Sequence, residues 1–185
     1  MTVSFTTEAD REQRVLICAP LGRDGELLSD SLAQAGFAVH VCDRLATVLA
    51  EIERGAAVIL ITQEALETDD PGPLVQQLAD QPNWSDLPLL VLVDGDGSPA
   101  GAALHERLSP LASITLLNRP VGQMELASAV RSALRARSRQ YEIRDHQQAL
   151  EEAVTRRTAE LHLLQDVAII ANEADTVGDA LRAAI

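Results

Sequence analysis

Two arginines stand where a small anion could be bound. The run GRDG (22–25) follows an apolar segment and contains Arg23, while Arg119 follows a later apolar segment. Turns at the carboxyl edge of a parallel sheet can hold a phosphate with backbone N–H groups and a guanidinium. The same run also fits an ordinary turn in which Asp24 opens a helix, a place favoured by the helix dipole. The residues therefore leave open a small-anion or nucleotide site, with Arg23 and Arg119 as ligands, and a simple turn.

Metal and redox chemistry find little support in the sequence. Cys18 and Cys42 each lie inside an apolar run, which favours buried free thiols, and no Cys/His cluster has zinc spacing. The run DGDG (94–97) resembles the start of a calcium loop, but His105 stands at the twelfth position, where a carboxylate is needed. We expect a surface loop at 94–97 and neither a metal nor another cofactor.

Charge and hydropathy exclude two classes of partner. The net charge is −13, and all fifteen basic residues are arginine, which argues against sequence-independent binding of nucleic acid. No apolar run approaches the roughly 18 residues of a membrane span. The polar, acidic start MTVSFTTEADREQ is unlike a secretory signal. We therefore expect a cytoplasmic protein that binds neither nucleic acid nor membrane.

Alternating apolar runs and amphipathic segments predict the fold. Continuous apolar runs indicate five strands, at 14–18, 37–42, 56–62, 87–93 and 114–118. Helical spacing follows each strand, at about 24–35, 44–55, 74–80, 101–108 and from 123 onward. Strands without alternation are typical of a parallel sheet with helices on both faces. We predict a flavodoxin-like (βα)5 fold with strand order 2-1-3-4-5.

The last predicted helix is too long for such a domain. Residues 123–171 contain neither proline nor glycine, and a helix of that length would extend about 70 Å. A heptad frame gives a mostly apolar seam, in which two polar residues would fix the register. This predicts a dimeric coiled coil whose interface contains Ile143, Gln147, Leu150, Val154, Arg157, Leu161, Leu164 and Ala168. The run 175–178 is expected to break the helix.

The layout resembles the receiver domain of bacterial two-component systems. That family carries an acidic pair after strand 1 for Mg²⁺, a phosphoacceptor Asp ending strand 3, a Ser or Thr ending strand 4 and Lys-Pro ending strand 5. Here those positions fall on Ala19 and Pro20, on Thr62 (or Ile61 with the register shifted by one), on Val93, and on Arg119 and Pro120. The resemblance implies a cis peptide before the proline. Because the neighbouring acids Asp24 and Glu64 stand off the expected positions, we expect a pseudo-receiver that is not phosphorylated.

A finer resemblance suggests the context. The runs APLGRD (19–24), WSDLP (84–88), TLLNRP (115–120) and RARSRQYEIRDH (135–146) look like the receiver-like N-terminal domain of some proteobacterial sensor histidine kinases. The run 156–165 is similar to linkers before sensor or kinase modules, and 163–181 to the first helix of a GAF domain. The run HERLSP (105–110) resembles the phosphoacceptor box of such kinases, but a short helix between strands is the wrong place for one.

This resemblance implies a division of the chain and a role for it. The expected parts are a flexible N-terminus (1–12), a pseudo-receiver (13–138), a coiled-coil signalling helix (139–171) and the start of a following, GAF-like domain (172–185). The chain would be a non-enzymatic regulatory and dimerisation module of a histidine kinase. It would form a homodimer through the coiled coil and would act on other domains of the parent kinase or on a protein partner.

Overall fold

The parallel sheet has the predicted strands and order. A computed structural model describes residues 11–95, 106–108, 111 and 113–183, with side chains of the last helix described up to residue 165. Five parallel strands follow the order β2-β1-β3-β4-β5. They are β1 (Val15–Cys18), β2 (Val39–Cys42), β3 (Val58–Thr62), β4 (Leu89–Asp94) and β5 (Ile114–Arg119). The flavodoxin-like prediction is thus confirmed.

Five helices accompany these strands in the described part of the chain. They are α1 (Asp24–Gln34), α2 (Leu45–Glu53), α3 (Gln63–Thr68), α4 (Gly72–Ala79) and α5 (Gln123–Ala183). Residues 106–108, from the predicted 101–108 helix, are helical as well. The sequence did not indicate α3, whose six residues are too few to show a helical period. Predictions for 1–10, 96–105 and 109–110 lie outside the described residues.

The core forms two layers, one on each face of the sheet. Alternate strand residues such as Leu16 and Ile59 pack in one layer, and Val15 and Val58 pack in the other. Helices α2 and α4 cover the first layer, whereas α1 and the start of α5 cover the second. Burial on both faces explains why the strand sequences are apolar without alternation. Cys18 and Cys42 are buried free thiols, as predicted.

Two glycines end helices of the sheet domain. Gly36 follows α1 with φ +86°, and Gly55 follows α2 with φ +107°. Side chains with a Cβ rarely adopt these left-handed conformations, so glycine is the residue that lets the chain turn back toward the next strand. The ends predicted for the helices at about 24–35 and 44–55 are therefore confirmed to within two residues.

The chain divides into two compact units. The first ends at Glu142, and the second begins at Ile143; the predicted boundary at 138 remains a prediction. Helix α5 continues to Ala183, so the predicted helix break at 175–178 is wrong. A single interior glycine costs only about 1 kcal/mol relative to alanine, which the helix formers around Gly178 offset. The assignment of 172–185 to a following domain remains a prediction.

No helix in the described part of the chain combines the length and apolarity needed to cross a membrane.

Candidate functional site

The carboxyl edge of the sheet is where the resemblance places a phosphorylation site. Ala19 and Thr62 are buried at the ends of β1 and β3, Val93 is buried in β4, and Pro20 is exposed. The alternative residue Ile61 is also buried, within β3. None of these side chains offers a carboxylate to a metal or to a phosphoryl group. The residues at these positions are therefore not of the acidic type that binds Mg²⁺ or that accepts a phosphoryl group in receivers.

Arg119 lies at this edge and forms ion pairs with acidic residues there. Its guanidinium makes a two-pronged ion pair with Glu64, with Nη1–Oε1 at 2.5 Å and Nη2–Oε2 at 3.2 Å. Asp94 lies 3.4 Å from Nη1, and Asp24 lies 3.5 Å from Nη2. One cation thus holds three carboxylates, which come from α1, α3 and the end of β4. The peptide between Arg119 and Pro120 is cis, as the resemblance implied.

Each acid is placed by the local structure. Asp24 is the first residue of α1, and Glu64 lies in the first turn of α3. The side chain of Gln63 accepts a hydrogen bond of 3.2 Å from the backbone N–H of Asp94, which ties the end of β4 to the start of α3. In the register of the sheet, Asp94 pairs directly with Arg119. The cluster therefore results from the strand ends themselves and from the short helix α3.

The ionisation of Glu64 reflects this arrangement. Burial raises the pKa of its carboxyl group, but hydrogen bonds from its own backbone N–H, from Arg119 and from the hydroxyl of Thr62 outweigh burial and lower that pKa below the usual value. For Arg119, burial lowers the pKa, but the bond to Glu64 and the charges of Asp94 and Asp24 raise it overall. The side chain at the degenerate phosphoacceptor position is thus engaged in supporting an internal ion pair.

The geometry does not favour an anion site. Arg23 is mostly exposed and pairs with Glu26, 3.1 Å away, rather than converging on Arg119. A free anion at Arg119 would have to displace a carboxylate and would meet the charge of the remaining acids. Among the residues described, no three His, Cys, Asp or Glu side chains are grouped as a metal ion would require.

A cleft of about 560 Å³ opens beside Arg119. Its lining is mostly apolar and includes Asp24, Leu27, Leu28, Leu92, Arg119, Pro120 and Val121. Leu27 is more than half exposed there. The cleft therefore offers an apolar surface next to the ion pair rather than a ring of polar groups that would hold a phosphate.

The predicted coiled-coil seam lies within the second unit. Its five large apolar residues are all more than half exposed, namely Ile143, Leu150, Val154, Leu161 and Leu164. The polar seam residues Gln147 and Arg157 are exposed as well, and Arg157 pairs with Glu160 at 2.9 Å. The side chain of Ala168 lies outside the described residues. A stripe of exposed apolar residues at coiled-coil spacing is typical of a helix that packs against another helix.

Sequence reasoning missed two features of the first unit. It did not identify Asp94 as a third acid, because the run 94–97 indicated only a loop. It also did not single out Arg137, which is buried on α5 although three other arginines lie within six residues of it in an exposed-looking run. Asp94 could have been found from its position at a strand end, and Arg137 from its position on the buried face of a helix. Both positions can be recognised only when the exact boundaries of the elements are known.

Comparison with solved structures identifies the fold of the first unit. NtrX from Brucella abortus in complex with ADP matches with 17% identity and a TM-score of 0.54, over 71% of this chain and 28% of that chain. A response regulator receiver domain protein from Clostridium thermocellum matches with 14% identity and a TM-score of 0.53, over 68% and 96% of the two chains. The beryllofluoride-activated NtrC4 receiver domain dimer matches with 17% identity and a TM-score of 0.53, over 68% and 98%.

This chain thus has the fold of response regulator receiver domains, followed by a long C-terminal helix, and it corresponds to less than a third of the NtrX chain. No protein-family model matches the sequence, and neither does any curated protein.

Proposed function

We propose that this chain is a phosphorylation-independent regulatory and dimerisation module of a two-component sensor histidine kinase. It has no catalytic role of its own. It relays a signal along α5 from the receiver-like body, by which we mean the sheet and helices α1–α4 with their loops. Its partners are a second copy of the chain and either the other modules of the parent kinase or a separate cytoplasmic protein. The receiver fold supports the signalling class, and two features of the chain support the finer assignment.

Phosphorylation independence is supported by the ion pair at the carboxyl edge. A receiver responds to phosphate because a new dianion changes the electrostatics of that edge. In this chain Arg119 already neutralises Glu64, and a hydroxyl stands at the phosphoacceptor position, Thr62. The edge is therefore held in one state by groups that belong to the protein.

The observation that carries the proposal is the exposed apolar seam of α5, which supports dimerisation. Burying a leucine or valine contributes about 1.5–3 kcal/mol, and five such seam positions per chain lie more than half exposed. Two seams that pack against each other remove this surface from water. The polar residues Gln147 and Arg157 limit the stability of the coil, which suits a helix pair that must change register or rotation.

The experiment is the molar mass in solution of residues 1–185 and of two variants. Leu161→Glu places a charge in the seam, whereas Ala159→Glu places the same charge two residues away on the outer face of the heptad. We expect a dimer for the wild type and for Ala159→Glu. Two buried glutamates per dimer would weaken association by about 100-fold or more, since each lost leucine costs about 1.5–3 kcal/mol, so Leu161→Glu should be monomeric at micromolar concentration. A monomeric wild type would refute dimerisation through α5.

A further inference from the structure

Arg137 is buried on α5, and its contacts among the described residues are with neutral groups. The residue is only 6% exposed, whereas arginines are rarely buried without a charged partner. Its Nη1 donates hydrogen bonds of 2.7 Å to the hydroxyl of Ser85 and to the side-chain oxygen of Gln140. Its Cζ lies 5.4 Å from the centre of the Trp84 ring and 4.5 Å from that of Tyr141. Its Nε is buried and makes no hydrogen bond among the described residues.

The neighbours of Arg137 on α5 attach to the same end of the sheet. Gln140 exchanges two hydrogen bonds of 3.0 Å with the backbone of Asp86, which precedes β4. The hydroxyl of Tyr141 donates to the carbonyl of Ala56, which precedes β3, at 3.1 Å. We call this set of contacts the clasp; it comprises Trp84, Ser85, Asp86 and Ala56 of the body and Arg137, Gln140 and Tyr141 of α5.

The clasp grips one face of the helix. Residues at positions i, i+3 and i+4 share a face, and Arg137, Gln140 and Tyr141 have this spacing. They make up the last turn of α5 within the first unit, and the seam begins immediately after it, at Ile143. Each residue of a helix turns by about 100°, so the clasp fixes the rotation of this last turn, directly before the seam begins. The clasp is thus placed to act on α5.

The chemistry of the clasp makes it releasable. Desolvating a guanidinium is costly, and ring faces and neutral oxygens compensate for that cost less fully than a carboxylate does. An element that switches needs two states separated by only a few kcal/mol. A fully paired arginine would hold α5 more firmly but could not be released by a modest change in the body.

We infer that Arg137 is the positioning residue that couples the receiver-like body to α5, and that release of the clasp is the step by which the body changes the seam. This inference rests on the proposed relay function and supplies its point of transmission. The surface of the body that matters is therefore the loop 84–86 at the amino edge of the sheet, on the side opposite to the degenerate phosphorylation site.

The test compares two variants of residues 1–185. Arg137→Met keeps a long apolar side chain and removes the guanidinium. Arg139→Met makes the same change at an exposed position, where the guanidinium donates to the Arg135 carbonyl of the same helix, at 3.3 Å. Trp84 is the only tryptophan of the chain, so quenching of its fluorescence by acrylamide reports on the clasp directly. Amide hydrogen exchange reports separately on residues 130–142 and 143–150.

For Arg137→Met we expect stronger quenching of Trp84 and exchange about tenfold faster or more in both segments. That factor corresponds to losing hydrogen bonds made by a charged group. Arg139→Met should match the wild type in every measurement. If Arg137→Met does not fold, Tyr141→Phe, which removes the hydroxyl that donates to Ala56, should accelerate exchange in both segments by about fivefold.

Unchanged exchange in 130–142 would overturn the inference. So would faster exchange confined to 130–142, because Arg137 would then be a local anchor without influence on the seam. Molar mass measured on the same samples separates this inference from the proposed function. A monomeric wild type refutes dimerisation, whereas the exchange data decide the role of Arg137 in either case.

Discussion

The coupling free energy between Arg119 and Glu64 tests whether Arg119 acts as a fixed counter-ion at the carboxyl edge of the sheet. The perturbation is a double-mutant cycle with Arg119→Met, Glu64→Gln and the combination of both. Glu64→Gln keeps an oxygen that can accept a hydrogen bond and removes the charge. Arg119→Met removes the cation and leaves Glu64, Asp94 and Asp24 as neighbouring acids.

The magnitude of the coupling follows from exposure and geometry. The two side chains are 22% and 23% exposed and share two hydrogen bonds. Hydrogen bonds to charged groups contribute about 1.5–3 kcal/mol, and exposed ion pairs contribute about 0–1 kcal/mol. A largely but not fully buried pair lies between these ranges, so we expect a coupling free energy of about 1–2 kcal/mol at pH 7. Arg119→Met alone should cost more than Glu64→Gln, because repulsion among the remaining acids adds to the loss.

The dependence on pH has a definite sign. The pKa of Glu64 is lowered in the folded protein from its reference value of 4.5. Its contribution to the free energy of unfolding is therefore complete above about pH 4.5 and is lost as the pH falls through the lowered pKa. The stability curves of the wild type and Glu64→Gln should be separated at neutral pH and should converge under acidic conditions.

The assay is urea unfolding followed by Trp84 fluorescence, at one fixed protein concentration because association shifts apparent stability. The exposed pair of Arg23 and Glu26 serves as a control, and its own cycle should give less than about 0.5 kcal/mol. If the cycle at Arg119 gives no more than this control, solvent screens the pair and Arg119 does not act as a fixed counter-ion.

Two further predictions concern reactivity. Incubation with Mg²⁺ and phosphoramidate should leave the intact mass unchanged, because Thr62 ends β3 where a carboxylate would be needed; a mass gain of one phosphoryl group would contradict phosphorylation independence. Burial raises the pKa of Cys18 and that of Cys42 to about 12, so at pH 8 both thiols should react with an aromatic disulfide reagent only as fast as the protein unfolds. Equal rates in native and urea-unfolded protein would contradict this.

The fold was predictable because its signals are local and repeated. Apolar runs such as 56–62 and 87–93 must be buried on both faces, which requires helices on each side of the sheet. The helical segments between the strands favour parallel strands joined by crossover connections. Gly36 and Gly55 marked helix ends through their backbone freedom. Helix α3 was missed because six residues directly after a strand show no period, and the break at 175–178 was wrongly predicted because a single glycine does not end a long helix.

The site was only half predictable, for a different reason. The positions that the resemblance assigns could be predicted, since each follows from counting to the end of a strand. The convergence of Asp24, Glu64 and Asp94 on Arg119 depends on how α1, α3 and the end of β4 meet at one edge, and that geometry is not a property of any single segment. When an arginine ends strand 5 and acidic residues lie near the other strand ends, an internal ion pair is therefore a better prediction than an anion site.

The amino edge of the sheet carries two buried arginines with opposite properties. Arg14 pairs with Glu51 at 2.7 Å and also donates to the carbonyls of Gly55 and Glu51. Removing either partner would leave a buried charge, so this pair holds the turn before β3 firmly in place. In the described part of the chain, the partners of Arg137 are aromatic rings and neutral oxygens. Arg119 fixes the carboxyl edge, and Arg14 fixes the turn before β3. Of the three arginine contacts, the clasp at Arg137 is the least firmly held. This contrast supports the loop 84–86, rather than the carboxyl edge of the sheet, as the place where a signal reaches α5.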